Sequence, residues 1–547
     1  MIKDEITALL KEAAQEAQRK ELLPAVTMPE IVLERPQNPE HGDYAATLPL
    51  KLARAARMNP MTIAQNLVDL IQVPGEIESV VVASPGFINF SLKSEWLTKQ
   101  VEGIISSGER YGDMDLGKGA RVQVEYVSVN PTGPLHVGHG RGAILGSTLA
   151  NVLACSGHEV VKEYYVNDAG GQMDAFYRSL HARYQQALGM DAEMPAEGYF
   201  GEYMVDIAKE IAAVEGDRFL QRPAELGEIG VGKVMQAIRS DLEALGVSFD
   251  VWFSEKSLLE EGQYERVMAF LKERGYIDEK EGAVWFTSTL LGEDKDNVLV
   301  RSDGTPTYFA TDIAYHFNKF IERGFSQVIN IWGADHQGHV SRMKAVVSAL
   351  GVDPERLQII ISQMVTLKRG ETAIKASKRT GELVTLRELV DEVGPDVCRF
   401  FFQSHSADSQ MDFDLELAKR QSADNPVYYV QYGHARIASI LRLAQEKGID
   451  YSQGSVSLLT SDAELRLIRR MLQLPEVLEL IASTLEPHHL SYYALDVATT
   501  FHNFYEKCRV VSSDEELTAA RLKLVEAARV VLAKTLKLMG MGAPERM

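Results

Sequence analysis

The chain has 547 residues, 45% of them hydrophobic and 24% charged, with a formal net charge of −20. That length exceeds what one core organises and predicts three or four domains, and no apolar run nears the ~20 residues needed to span a bilayer. The acidic balance disfavours a chain that binds nucleic acid over its whole surface, because phosphate contacts are made by Lys and Arg. The first twenty residues mix both charge signs in an amphipathic helical pattern, not a signal-peptide pattern. The three cysteines (Cys155, Cys398, Cys508) are odd in number and scattered. They suit a reducing, cytoplasmic location and argue against a zinc site, so no metal ligands are assigned.

In chain order, residues 1–115 read as two helical stretches, then a strand pair across Glu78 to Phe90 broken by Pro85-Gly86. Within the first stretch, Asp43 is expected to cap a helix from Tyr44 to Ala56. The segment Tyr111 to Gly119 reads as a linker. From Arg121 a strand–loop–helix–strand pattern begins. Arg121–Val127 is a strand, Gly138–Ser156 a helix with apolar residues at Ile144, Leu145, Leu149, Val152 and Leu153, and Glu159–Val166 a second strand. Gly157 stands where a C-cap glycine belongs. This βαβ unit opens a doubly wound domain over residues 116–423, with a mostly helical insertion at about 175–285. Strands return at Val298–Arg301 and Val328–Trp332. Residues 424–547 are helix-periodic throughout. From Gln431 onward 14 Lys+Arg balance 14 Asp+Glu, so the acidic excess lies upstream.

Two motifs carry the chemistry. The first, Glu125-Tyr-Val-Ser-Val-Asn130-Pro-Thr-Gly-Pro134-Leu-His136-Val-Gly138-His139, places a Gly/Pro loop and two histidines at a helix N-terminus beyond the carboxyl end of a strand. Parallel sheets bind nucleotides there, and the helix start offers unpaired N–H groups to phosphates. Alone, His-x-Gly-His reads more readily as a loop with two solvent-facing histidines. The second motif, Ile374-Lys375-Ala-Ser377-Lys378-Arg379-Thr-Gly381, has no apolar face to bury. Alone it reads as a charged surface loop. Together, in this order, they suit a triphosphate, whose departing charge lysines stabilise.

On these motifs the chain resembles class I aminoacyl-tRNA synthetases, with His136–His139 as the HIGH motif and Lys375–Arg379 as the KMSKS loop. The resemblance is closer to the arginyl-tRNA synthetase family and spans the chain. His41-Gly-Asp-Tyr44, Trp332-Gly-Ala-Asp-His336, Asn425-Pro-Val-Tyr-Tyr-Val-Gln-Tyr432 and Ala543-Pro-Glu-Arg-Met547 all fit it. Val137, Ala376 and Arg379 depart from the two motifs without removing a charged group.

The resemblance implies an α/β fold: a doubly wound parallel-sheet (Rossmann-like) catalytic domain, an α+β N-terminal domain that meets tRNA, and an all-α C-terminal bundle that binds the anticodon. It implies activation of L-arginine by ATP with Mg²⁺, transfer to tRNA-Arg, no membrane partner, and a monomer. His136, His139, Lys375 and Lys378 are then the catalytic residues, and ATP is held by these four with Pro134, Gly138, Asp335, His336 and Ser377. A guanidinium calls for carboxylates, which accept paired N–H bonds. By resemblance, Glu125, Asn130, Tyr308 and Asp312 contact arginine; a helix through Pro306 to Asp312 puts the last two on one face. Asp335, His336, Gln337 and His339 follow a strand and offer polar groups to arginine, adenine or ribose; Asp335 and His336 are assigned to ATP and Gln337 to arginine.

Overall fold

The computed structural model describes residues 1–36, 38–370, 372–373 and 384–547. Contacts divide it into two compact units. One comprises residues 1–107, 441–472 and 503–527; the other comprises residues 108–440, 473–502 and 528–547. No helix among the described residues is long and apolar enough to cross a membrane.

In the first unit, Leu33–Glu34 (β1), Tyr44–Ala46 (β2), Ile77–Ala83 (β3) and Phe87–Leu92 (β4) form an antiparallel sheet of order β1-β2-β4-β3. The strand pair around Pro85-Gly86 is where the alternating pattern placed it. Among the described residues four α-helices, not two, precede residue 108: Ile2–Arg19, Leu48–Ala56, Pro60–Val68 and Ser94–Ser107. The second and third separate because Arg57 adopts a left-handed conformation and Asn59 caps the next helix, its side chain accepting from Met61 N–H at 2.8 Å. The expected cap by Asp43 is absent. Tyr44–Ala46 is a strand, paired through Tyr44 with Phe90. Buried Asp43 instead accepts from Leu92 N–H at 2.7 Å and from Arg469 Nε at 2.6 Å. Two tertiary donors satisfy this carboxylate where a local cap would have satisfied only one side of it.

In the second unit, Arg121–Glu125 (β5), Glu159–Val166 (β6) and Val251–Ser254 (β7) belong to a parallel sheet. The helices Gly171–Ala187, Glu202–Glu215 and Pro223–Ala244 lie between β6 and β7, so the chain returns to the sheet inside the stretch expected to be helical insertion. Ile277–Lys280 (β8), Ala283–Phe286 (β9) and Asn297–Val300 (β10) form a separate antiparallel sheet. The strand expected at Val298 thus exists but lies outside the parallel sheet. Gln327–Gly333 (β11) and Leu357–Ser362 (β12) complete the latter in the order β12-β11-β5-β6-β7. Numbered within the sheet this is 5-4-1-2-3, the doubly wound order, and its switch point falls between β5 and β11.

The helix Val137–Cys155 connects β5 to β6 and is buried along nearly its whole length. A Cβ on Gly146 would stand 2.2 Å from the Tyr126 ring, so glycine permits the helix to lie against the sheet. Two buried arginines fix this helix. Arg141 donates to the carbonyls of Gln363 (2.9 Å), Ser409 (2.7 Å) and Ser406 (2.7 Å). Arg399 donates to Ser147 Oγ (2.8 Å) and to the carbonyls of Met539 (2.6 Å), Leu245 (3.0 Å) and Gly246 (3.3 Å). Val365–Arg369 (β13) pairs with Thr372–Ala373 (β14) and Met411–Asp414 (β15). After Asp414 every regular element among the described residues is helical, from Pro426–Glu446 to Glu515–Leu538.

Candidate active site

His136 is the N-cap of the Val137–Cys155 helix, with extended backbone. Its Nδ1 accepts from Gly138 N–H at 3.2 Å, and His139 Nδ1 accepts from His136 N–H at 3.2 Å. Because both Nδ1 atoms accept, both rings carry their proton on Nε2. Burial lowers the pKa of His136, and burial with the neighbouring His136 lowers that of His139 to about 3. Both rings are therefore neutral at physiological pH and act as N–H donors. Their centroids are 3.4 Å apart. A Cβ at Gly138 would press on the His136 ring at 3.1 Å, which explains the glycine. Pro134 is exposed at the edge of the loop, and Leu135 N-terminal to the cap is buried.

The motif of Lys375, Ser377 and Lys378 lies outside the described residues. The chain re-enters beside the histidines: Leu386 N–H donates to Leu135 O at 2.8 Å, and Thr385 bridges His136.

Of the arginine candidates, Glu125, Asn130 and Gln337 lie at or beyond the carboxyl ends of the neighbouring strands β5 and β11, and Tyr308 and Asp312 lie on a helix. Glu125 ends β5 and is buried; Ser128 Oγ donates to its Oε1 at 3.0 Å, and Lys319 Nζ to its Oε2. Asn130 bonds Gln172 (2.5 Å) and Asn167 (2.8 Å). The stretch from Tyr308 to Phe317 is helical, the condition for Tyr308 and Asp312 to share a face, and it carries exposed Tyr308 and partly exposed Asp312. Burial, and then the nearby carboxylates of Glu255 and Glu125, push Asp312 up to about 7, with Arg342 and Lys319 opposing. Asp335, His336 and Gln337 lie in an exposed 3₁₀ turn that follows β11 directly. His336 Nε2 is 3.6 Å from Asp335.

Glu255 escaped the sequence reading. It follows β7, is 3% exposed, and takes one hydrogen bond, from Thr311 Oγ at 2.8 Å. Its Oε2 and the buried Tyr165 hydroxyl have no partner among the described residues. Burial raises the Glu255 pKa. A buried carboxylate oxygen without a donor is costly and marks a place where a cationic ligand fits. Glu255 follows β7 directly, as Glu125 ends β5 and Ala334–Gln337 follows β11, but β7 falls in the stretch read as helical, so no local signal marked it.

Three family models match the chain. The catalytic domain of class I tRNA synthetases (R) matches residues 100–398, the arginyl tRNA synthetase N-terminal domain residues 2–92, and the DALR anticodon binding domain residues 430–547. Arginine–tRNA ligase of Dehalococcoides mccartyi strain BAV1 is 58% identical over 551 residues, covering 100% of this chain and 99% of that protein. The ligase of Carboxydothermus hydrogenoformans is 51% identical over 523 residues, with 94% of each covered. The fold matches that of Thermus thermophilus arginyl-tRNA synthetase with a TM-score of 0.80, at 23% identity and 100% coverage of both chains. With its catalytic domain matched over more than half its length and relatives of this identity along the whole of it, the chain belongs to the arginyl-tRNA synthetase family.

Proposed function

We propose that this chain ligates L-arginine to tRNA-Arg in two steps at the switch point between β5 and β11, with a division of labour among the residues above. The carboxylate of arginine attacks the α-phosphorus of ATP, the bond from that phosphorus to the α,β-bridging oxygen breaks, the β- and γ-phosphates leave as pyrophosphate, and arginyl-adenylate forms. A ribose hydroxyl of the terminal tRNA adenosine then attacks the activated carbonyl and releases AMP. ATP enters as its Mg²⁺ complex, which is part of the substrate.

Neither step requires a strong protein base; positioning and charge stabilisation suffice. The neutral Nε2–H groups of His136 and His139, with the helix N-terminus, donate to phosphate oxygens. Lys375 and Lys378 neutralise departing pyrophosphate, with Ser377 beside them. Pro134 and Gly138 shape the loop, and Asp335 and His336 hold the nucleoside. Arginine lies across the strand ends: Glu125, Asn130 and Gln337 address its amino-acid end. Asp312 and Glu255 take the guanidinium, with Tyr308 over the side chain. The N-terminal and C-terminal regions contact tRNA, in a cytoplasmic, monomeric enzyme of three domains (1–115, 116–423, 424–547).

The observation that carries this reading is the pair of histidines at a helix N-terminus whose Nδ1 atoms each accept a backbone N–H of the helix start, in the same strand-end row as two acidic residues, one of them orphaned. Arginine-dependent ATP–pyrophosphate exchange tests it, run with and without tRNA-Arg and with lysine and glutamine as controls. Exchange with arginine alone is expected. A folded protein that binds tRNA yet exchanges with none of the three contradicts the reading.

A further inference from the structure

Glu163, Glu125 and Asn330 stand side by side on β6, β5 and β11, paired in register and all buried. Two carboxylates on adjacent strands, about 5 Å apart across the ladder, repel each other unless each has a cation. The helix Tyr308–Phe317 and the turn that continues it supply a hydroxyl donor at position 315 and cations at 319 and 323. The Tyr315 hydroxyl donates to Glu163 at 2.5 Å, and Arg323 pairs with Glu163 through both terminal nitrogens. Lys319 is fully buried and donates to Glu125 and, at 3.0 Å, to Asn330 Oδ1, with its Nζ 4.0 Å over the Tyr315 ring. Residues Asn318–Glu322 form one turn of π-helix, closed by Arg323 N–H to Asn318 O at 2.8 Å. Such turns are rare and cluster at functional sites.

The network continues. Asn330 Nδ2 bonds His316 Nε2 at 3.1 Å, and His316 Nδ1 bonds the Asp312 carbonyl at 2.8 Å. Lys319 thus touches one carboxylate of the pocket and reaches the backbone of a second through two side chains.

We propose that Lys319 is a positioning residue for arginine selection: it fixes the Glu125 carboxylate against β5, and its charge allows Glu125, Asp312 and Glu255 to share one pocket before the substrate cation arrives. This deepens, and rests on, the reading of those three acids as the arginine pocket. Arg323 cannot replace it, because both its nitrogens are engaged by Glu163. Glu255 and Glu125 raise the Asp312 pKa, while Arg342 and Lys319 lower it. Tyr165 also faces these acids, its own pKa raised by burial and then by Glu255, Asp312 and Glu125. His316 beside Asp312 is held neutral by burial. Lys319 is therefore the cation that links the two acidic ends.

The test is Lys319→Met, near in length and neutral, read by pyrophosphate exchange with arginine and ATP varied separately. The KM for arginine should rise about 10-fold or more, the value of one charge-assisted hydrogen bond, with the KM for ATP little changed. The midpoint of kcat/KM for arginine against pH should move upward, because Asp312 loses a cation that favours its charged form. Lys319→Arg, which keeps the charge and serves where the Met variant does not fold, should keep the midpoint while the arginine KM stays raised. An unchanged arginine KM and midpoint in Lys319→Met, or a shifted midpoint in Lys319→Arg, overturns the proposal. Glu125→Gln and Asp312→Ala separate the two readings. If they raise the arginine KM and Lys319→Met does not, only the role of Lys319 falls. If they too leave it unchanged, the pocket reading falls and the proposal with it.

Discussion

His139 Nδ1 accepts the backbone N–H of His136 at 3.2 Å, so the second histidine of the motif holds the first in its capping conformation. The two rings are one device: each uses Nδ1 on the backbone and keeps Nε2–H as a donor. Their identity as histidine serves both the helix start and the phosphate chemistry.

The two roles separate by substitution. Asparagine is a good N-cap, so His136→Asn should keep the melting temperature near wild type while exchange falls roughly 10²–10³-fold, the loss of one oriented donor. Thermal melting beside exchange kinetics checks this. Wild-type exchange would remove His136 from phosphate binding.

Lys378 carries a parallel expectation drawn from the sequence. Lys378→Ala should cut exchange by roughly 10²–10³ with an unchanged circular dichroism spectrum, since its charge acts only as pyrophosphate leaves. A variant with near-normal turnover contradicts that role.

At the other end of the pocket, Asp312→Ala and Glu255→Gln should each raise the KM for arginine about 10–100-fold while the ATP constant stays close to wild type. Equal small effects on both substrates would place these acids outside the pocket. Because Asp312 titrates near 7 and a guanidinium prefers its charged form, kcat/KM for arginine should climb between pH 6 and 8. Asp312→Asn should flatten that rise.

Stability should also depend on pH in a definite sense. His139 and His316 are held to about 3 from an ordinary 6.5, so below 6.5 the unfolded chain takes up protons that the folded one refuses. Each costs about 1.4 kcal/mol per pH unit as pH falls toward 3. Asp312 acts oppositely: its folded pKa is raised from 3.8 to about 7, so its contribution is complete below 3.8 and is lost as pH rises through 7. Between pH 4 and 6 the lowered histidines His139, His316 and His136 outweigh the raised acids Asp312 and Glu255, and denaturant unfolding should show stability rising with pH. In Asp312→Asn the slope should steepen by about one proton.

Arg399 makes the strongest structural prediction. Its guanidinium serves three carbonyls and Ser147 Oγ, and a Cβ on Gly540 would stand 2.3 Å from it. Arg399→Met leaves those acceptors buried and should destabilise by about 3–5 kcal/mol in urea unfolding. Lysine, which lacks the planar fork, should recover only part of this.

What the sequence determined by itself is local. The strand, loop and helix around His136–His139 and the left-handed glycine at Gly157 that ends that helix follow from periodicity and capping, which act over a few residues. The family resemblance likewise needed only the order of the motifs. What tertiary structure decided is everything that depends on charges meeting across long separations. Asp43 was read as a cap because Arg469, 426 residues away, is not visible from its neighbourhood. Glu255 lay in the stretch read as helical insertion, and only the fold buried it behind β7, beside Thr311. Nothing local marked Lys319, which the fold buries in the π-turn against Glu125, 194 residues upstream. Burial turns an ordinary charge into a costly one that must find a partner, and burial is set by the packed sheet and helix together, not by any window of the chain.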